Sequence, residues 1–133
     1  MTERESSGPA IGLRAYLAVS SLVNLATWVL LLLPNFLQQR GWSSQETGWA
    51  VGAYFSVNLV SQLLAGEMAD RRGSIRTALT GVGLGVCAGL CYVLAPVWTW
   101  LVIPGRILHG AGTGLVSAGV LIQLTESVPL GRK

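Results

Sequence analysis

Four long stretches without a charged residue restrict what this chain can fold into. They cover residues 15–39, 47–66, 77–105 and 107–125. A helix of about 20 apolar residues crosses the roughly 30 Å hydrocarbon core of a bilayer, where an open sheet edge cannot satisfy its backbone. Pro96 divides the third stretch. The part after Pro96, residues 97–105, continues through Arg106 into the fourth stretch. The pattern predicts an all-α integral membrane fold with four transmembrane helices, at about residues 15–37, 48–69, 77–95 and 97–124.

The number and the placement of charges support this prediction. Charged residues make up 11% of the 133 residues, whereas a soluble domain has about 25%. The net charge of +3 does not indicate nucleic acid binding, because the basic residues are sorted by side. Arg40 alone falls in a loop on one side and Arg106 lies inside helix 4, whereas seven others share the opposite side. These seven are Arg4, Arg14, Arg71, Arg72, Arg76, Arg132 and Lys133.

Basic residues collect on the cytoplasmic side of membrane proteins. We therefore expect residues 1–13 to form a cytoplasmic lead, residues 14–126 the transmembrane region and residues 127–133 a cytoplasmic tail. The protein is expected in the plasma (inner) membrane, with the lipid bilayer as its first partner and both termini in the cytoplasm.

The most specific segment is the charged connection between helices 2 and 3, which we call the elbow (residues 66–77). Gly66 is expected to let helix 2 approach a neighbour closely, and Gly73 to supply the positive φ of a tight turn. Asp70 marks the end of helix 2, and Arg71 and Arg76 hold the connection on the cytoplasmic side. Any membrane hairpin needs such features, so the residue types alone do not assign a function.

The spacing Gly-x-x-x-Asp-Arg-x-Gly-x-x-Arg, formed by Gly66, Asp70, Arg71, Gly73 and Arg76, resembles the loop between helices 2 and 3 of major facilitator superfamily transporters. Two further segments are similar to that family. In helix 4, Arg106 is followed by Gly110-x-Gly112, with His109 where a Gln is common. The exit from helix 4 has an acid, a proline and basic residues, Glu126, Pro129, Arg132 and Lys133. The sequence departs from the family pattern at Ser74 and Ile75, where basic residues are frequent.

The resemblance implies the N-terminal part of a major facilitator fold, helices 1–4 of 12. It implies transport of a small molecule by alternating access, with efflux expected. Asp70 and Arg71 would form a gating latch together with Gly66, Gly73 and Arg76, and Glu126 would pair with Arg71 or Arg76. Four helices cannot enclose a path that runs between two six-helix halves. The chain alone is therefore expected to be inactive, with the remaining helices of the transporter as its partner.

Polar residues within the predicted spans fall on three stripes. An intramembrane Arg costs at least about 2.5 kcal/mol to insert, so Arg106 should face protein or a wet cavity. The stripes either line a hydrophilic substrate path or satisfy one another through interhelical hydrogen bonds, or Arg106 reaches towards the outer headgroups. The candidates for a substrate path are Arg106, His109, Asn24, Asn58 and Gln62. The remaining stripe members are Ser20, Thr27, Tyr54, Ser61, Gly110, Thr113 and Ser117.

Other functions find little support. The run Gly81-x-Gly83-x-Gly85 follows no strand and carries no Lys-Ser/Thr, so it is not a nucleotide loop. Cys87 and Cys91 lie on one helix face, too far apart for a disulfide. We expect no enzyme activity, no cofactor and no metal site. The alternative is a non-transporting or dimeric four-helix membrane protein, either a small multidrug-type exporter or an assembly subunit. Small multidrug exporters depend on a Glu in helix 1, which this sequence lacks.

Overall fold

The computed structural model describes Ala18, Ser21 and residues 30–127. After a 3-10 turn at Leu30–Leu32 the helices are α1 (Leu33–Gln39), α2 (Ser44–Arg72), α3 (Ser74–Leu94) and, after a second 3-10 turn at Thr99–Leu101, α4 (Val102–Ser127). No strand occurs in this part of the chain, which confirms the all-α class there.

Two of the four expected spans have the length and the hydropathy of a membrane-crossing helix. These are Ser74–Leu94, which is α3, and Thr99–Glu126, which contains most of α4. Helix α2 has 29 residues and is long enough, at about 1.5 Å per residue, to cross a bilayer. Its polar stripe, which includes Asn58 and Gln62, lowers its mean hydropathy. Helix α1 is described for only seven residues.

Helix α2 begins at a capping box. The Ser43 hydroxyl accepts a hydrogen bond from the Glu46 backbone N–H at 3.2 Å, and the Glu46 carboxylate accepts one from the Ser43 backbone N–H at 2.8 Å. Ser followed three residues later by Glu is the spacing this reciprocal cap requires. This cap fixes Ser44 as the first residue of α2.

Within the elbow, a single glycine makes the turn between α2 and α3. Gly73 has φ +88° and ψ 147° and separates the last residue of α2 from the first of α3. Its N–H donates to the carbonyl of Ala69 at 2.7 Å and closes α2. The positive φ expected at Gly73 is confirmed. The close approach expected at Gly66 is not seen, because a Cβ built there would have no heavy atom within 4 Å.

Helix α4 packs against both α2 and α3 and forms the centre of the described bundle. It runs parallel to α2, because contacts advance together from Ala50 with Arg106 to Tyr54 with Gly110. It runs antiparallel to α3, where Tyr92 contacts Gly105. The Gly-x-Gly run of α4 serves this packing: a Cβ on Gly110 would lie 2.5 Å from the Tyr54 carbonyl oxygen.

A small apolar core lies at the end of the bundle opposite the elbow. Leu33 and Leu37 of α1 meet Ala50 of α2, Ala95 after α3, and Val102, which begins α4. Leu37 and Val102 have no exposed surface. We call this group the rim core. It joins all four helices at one level.

Candidate functional site

Arg106 occupies the centre of a polar cluster between α2 and α4. Its side chain is 3% exposed. The Nε donates to the carbonyl of Ala50 and the Nη2 to that of Val51, both at 3.3 Å. Arg106 stands one α4 turn after Val102 and therefore lies directly behind the rim core. Its donors find backbone oxygens of α2 instead of lipid, as the cost of a buried charge requires.

Aromatic rings surround the charge. The Arg106 guanidinium carbon lies 4.6 Å from the centroid of the Tyr54 ring. The His109 ring lies 5.1 Å from that of Tyr54 and 6.0 Å from that of Tyr92 on α3. Desolvation strengthens an attraction between a cation and a ring face. Three helices thus contribute to the surroundings of one cation.

His109 is buried, and its Nδ1 has no hydrogen-bond partner among the described residues. A buried polar nitrogen without a partner is costly. The His109 Nδ1 is therefore open to a hydrogen-bond partner outside the described residues.

A chain of side-chain hydrogen bonds continues the cluster towards the elbow. The amide nitrogen of Asn58 donates to Thr113 Oγ1 at 2.8 Å and to the Gly110 carbonyl at 3.3 Å. Gln62 donates to the Asn58 carbonyl oxygen at 2.7 Å. Thr113 Oγ1 also lies 3.3 Å from the Tyr54 hydroxyl. The chain of hydrogen bonds leads from the exposed Gln62 to the Tyr54 hydroxyl, and the Tyr54 ring lies against the buried Arg106.

The structure brings together four of the five path candidates: Asn58, Gln62, Arg106 and His109. The fifth, Asn24, lies outside the described residues, as do Ser20 and Thr27. Sequence reasoning placed Tyr54 and Thr113 on the polar stripes but did not select them, although Thr113 joins Asn58 to α4. Tyr92 was missed, since it stands alone in an apolar run and only the α3–α4 register places it beside His109.

The latch candidates are arranged differently from the expectation. Arg71 pairs with Glu67 on its own helix, with Nη2 and Oε1 2.7 Å apart and both side chains well exposed. This is the one ion pair within 4 Å in the described part of the chain. The expected pairing of Glu126 with Arg71 or Arg76 is therefore absent from this conformation. Surface pairs of this kind contribute about 0–1 kcal/mol.

Glu126 is held by Ser74 instead. The Ser74 hydroxyl lies 2.6 Å from Gln123 Oε1 and 3.1 Å from Glu126 Oε2, and Ser74 is 5% exposed. The elbow is thus fastened to the end of α4 through a residue at which the sequence departs from the family pattern. The signal in the sequence was a Ser directly after the turn glycine, with two polar residues three apart where α4 returns to the same end.

The described residues hold no carboxylate within the polar cluster, and they contain no group of three metal-ligating side chains. What the cluster presents is one guanidinium, amide and hydroxyl groups, and one imidazole. Such groups bind polar molecules through hydrogen bonds and cation–ring contacts.

Comparison with known proteins gives a consistent result. Residues 15–133 match the family model described as Major Facilitator Superfamily. The chain is 26% identical over 130 residues to a major facilitator superfamily multidrug transporter of Aspergillus fumigatus, covering 94% of this chain and 25% of the relative. It is 33% identical over 100 residues to an MFS-type transporter of Salmonella typhimurium, covering 69% of this chain and 26% of the relative.

A third relative is Plastidic glucose transporter 4 of Arabidopsis thaliana, 35% identical over 83 residues, which are 62% of this chain and 15% of the relative. The chain spans about a quarter of the length of the first relatives that it matches. No solved structure shows a significant match to the chain.

Proposed function

The chain belongs to the major facilitator superfamily, a family of integral membrane transporters, and on that premise we propose that it supplies the first four helices of a transporter that moves a small molecule by alternating access. In this proposal the cluster around Arg106 lines part of the substrate path. The elbow forms the cytoplasmic latch. The family points to transport and not to an enzyme.

One observation carries the proposal: a chain of polar side chains reaches from the exposed Gln62 to Tyr54, whose ring lies against the buried Arg106. A protein that needed α2 and α4 only as packed helices would not require a charge between them. An insertion cost of at least about 2.5 kcal/mol favours functional use of such a residue.

The proposed orientation follows from the basic residues. With the elbow in the cytoplasm, Arg71, Arg72 and Arg76 stand where the positive-inside rule favours them. Both termini are then cytoplasmic, in the plasma (inner) membrane, and the rim core lies towards the outer face. Asp70, Arg71, Gly73, Ser74 and Glu126 would be the groups at which the latch opens and closes.

We propose efflux as the direction of transport, in line with the multidrug transporter named among the relatives. We also propose that these four helices do not transport alone, because the chain spans about a quarter of those relatives. The further helices would supply the other wall of the path and a partner for the His109 Nδ1.

A chimera tests the path. Residues 15–133 replace the matching segment of the Aspergillus fumigatus multidrug transporter, and efflux of ethidium is followed by fluorescence in cells and in inverted vesicles. We expect efflux by the chimera and none by the 133-residue chain. Arg106→Ala should lower the efflux rate about tenfold, the loss that one charged hydrogen bond represents. Leu90→Ala, at an exposed apolar position of α3, is the matched control and should retain the rate.

The latch is tested in the same chimera. Asp70→Asn should slow efflux without changing the amount of protein in the membrane, whereas a passive subunit would tolerate it. Full efflux by both Arg106→Ala and Asp70→Asn would overturn the assigned roles.

Orientation is tested with Arg72→Cys in a background without Cys87 and Cys91. A membrane-impermeant maleimide should reach this cysteine in inverted vesicles and not in intact cells.

A further inference from the structure

The last turn of α1 is attached to the connection between α3 and α4. Arg40 Nη1 donates to the Pro96 carbonyl at 2.6 Å. The Arg40 guanidinium carbon also lies 5.1 Å from the centroid of the Phe36 ring, one turn earlier on α1. Phe36 therefore orients the guanidinium, and Pro96 receives its hydrogen bond.

A pair of indole rings makes a second attachment at the same level. The ring centroids of Trp42 and Trp100 are 5.2 Å apart. Trp42 packs against the rim core, whereas Trp100 is 67% exposed. We call Arg40, Pro96, Trp42 and Trp100 the rim strap. Its hydrogen bond and its ring pair both join the α1–α2 loop to the start of α4.

The rim core lies directly beneath this strap. Leu37 and Val102 have no exposed surface. Ala50 belongs to the same core, and its carbonyl accepts the hydrogen bond from Arg106 Nε. The layers therefore follow one another from the surface inwards: strap, apolar core, then the buried charge. Among the described residues, the apolar core thus lies between the strap and Arg106.

We propose that Arg40 is a positioning residue, which fastens the rim core as a seal over the outer end of the Arg106 cluster. Three members of the strap, Arg40, Pro96 and Trp100, are exposed, so the hydrogen bond can open without breaking the core of the bundle. Release of Arg40 from Pro96 frees the end of α1, and the apolar layer then loosens above Arg106. The inference rests on the orientation given under Proposed function, and its test requires no transport.

The chain contains its own reporter of water access. Cys91 is partly buried, and a Cβ on Gly105, the residue before Arg106, would lie 3.2 Å from its Cβ, so Cys91 lies beside the turn of α4 that carries Arg106. The full chain is placed in proteoliposomes with Cys87→Ser, which leaves Cys91 as the one thiol. The rate of its modification by a membrane-impermeant methanethiosulfonate reagent is measured from either side.

Three variants test whether Arg40 and Trp100 hold the seal in place. Arg40→Leu keeps an apolar contact with Phe36 but removes the donor, and it should raise the modification rate from the outer side about tenfold, as expected for a lost charged hydrogen bond. Arg40→Lys retains a cation and a donor for Pro96 and should restore the slow rate. Trp100→Leu removes the second attachment at an exposed position and should also raise the rate. It serves as the test if Arg40→Leu does not fold, which circular dichroism will show.

An unchanged rate in Arg40→Leu and Trp100→Leu, with Cys91 modified from the outer side, would overturn the seal and leave the proposed function intact. Equal acceleration in Arg40→Leu and Arg40→Lys would also overturn it, because the donor would then be irrelevant. Modification of Cys91 from the elbow side alone in every variant would overturn the orientation, and the outer seal with it.

Discussion

The guanidinium carbon of Arg106 lies 4.6 Å from the centroid of the Tyr54 ring, and the charge and the ring belong to parallel helices far apart in the sequence. Each side chain is less than a tenth exposed. The pair therefore lies where water does not screen it. A desolvated contact between a cation and a ring stabilises by about 2 kcal/mol.

Replacement of Tyr54 tests that contact. Tyr54→Phe keeps the ring face under Arg106 and should change the free energy of unfolding by less than about 1 kcal/mol. Tyr54→Leu removes the ring and should lower it by about 2 kcal/mol more. Reversible unfolding in mixed micelles of detergent and sodium dodecyl sulfate, followed by circular dichroism, measures both. Equal losses in the two variants would show that the ring face contributes nothing.

The hydrogen bond between Asn58 and Thr113 can be isolated by a double-mutant cycle. Asn58→Ala, Thr113→Ala and the double variant should give a coupling energy of about 0.6 kcal/mol and no more than about 1.7 kcal/mol, the average and the maximum for such bonds between membrane helices. The same unfolding experiment supplies the four free energies. Additive losses would indicate that the 2.8 Å contact contributes no stability of its own.

The glycines of α4 and α3 give opposite predictions for the same chemical change. Gly110→Ala places a Cβ 2.5 Å from the Tyr54 carbonyl oxygen and should destabilise by about 1–3 kcal/mol, as overpacking does. Gly83→Ala meets nothing within 4 Å and should stabilise α3 by about 0.5–1 kcal/mol. Thermal unfolding in detergent, followed by tryptophan fluorescence, compares the two. Stabilisation by Gly110→Ala would mean that α2 and α4 lie farther apart.

A second glycine pair tests the elbow. Gly73→Ala should cost about 1–3 kcal/mol, because its φ of +88° together with ψ of 147° is a backbone conformation that residues with a Cβ rarely adopt. Gly66→Ala has open space and helical geometry, so it should leave the free energy of unfolding equal or higher. The free energy of unfolding should therefore be lower for Gly73→Ala than for Gly66→Ala. The opposite order would contradict the turn at Gly73.

The cap of α2 should respond to acid. The Ser43 backbone N–H and, to a smaller extent, its hydroxyl lower the pKa of Glu46 below its usual 4.5. A carboxyl whose folded pKa is depressed contributes stability that is fully present above its unfolded value and is lost as the pH falls through the folded value. Stability at pH values above 4.5 should therefore exceed that in more acidic solution. Glu46→Gln retains a cap and should remove this part of the pH dependence, which unfolding curves at several pH values will show.

The sequence alone predicted much of the fold, for physical reasons that specific residues illustrate. Gly73 was predicted to adopt positive φ because a turn between two long helices needs it, and the structure confirms this. The stripes on α2 and α4 were predicted from helical spacing, and the two stripes do meet. Asn58 bonds to Thr113, and Tyr54 lies against Arg106 and His109. Spacing within one helix, however, fixes no register between helices. The selection of Thr113 and Tyr92 as contact residues therefore required the structure.

The elbow shows a second limit of sequence reasoning. Opposite charges on Arg71 and Glu126 suggested an ion pair, but Glu67 lies one turn before Arg71 on the same helix and pairs with it. Residues at i and i+4 are already neighbours on the surface of one helix, so this pair forms without bringing a second helix into position. Ser74 then holds Glu126 through a neutral donor, a contact that no charge pattern reveals.

The glycine contacts of α4 limit the ways in which this helix can move. Gly110 and Gly114 lie against the backbone of α2, whereas Gly112 and Gly119 lie against that of α3. A rotation of α4 about its axis, or a shift by one residue along it, would bring side chains into backbone on both sides. Neither the rotation nor the shift is possible while the three helices remain packed. Any conformational change that preserves this packing must therefore move α2, α3 and α4 together as one rigid body.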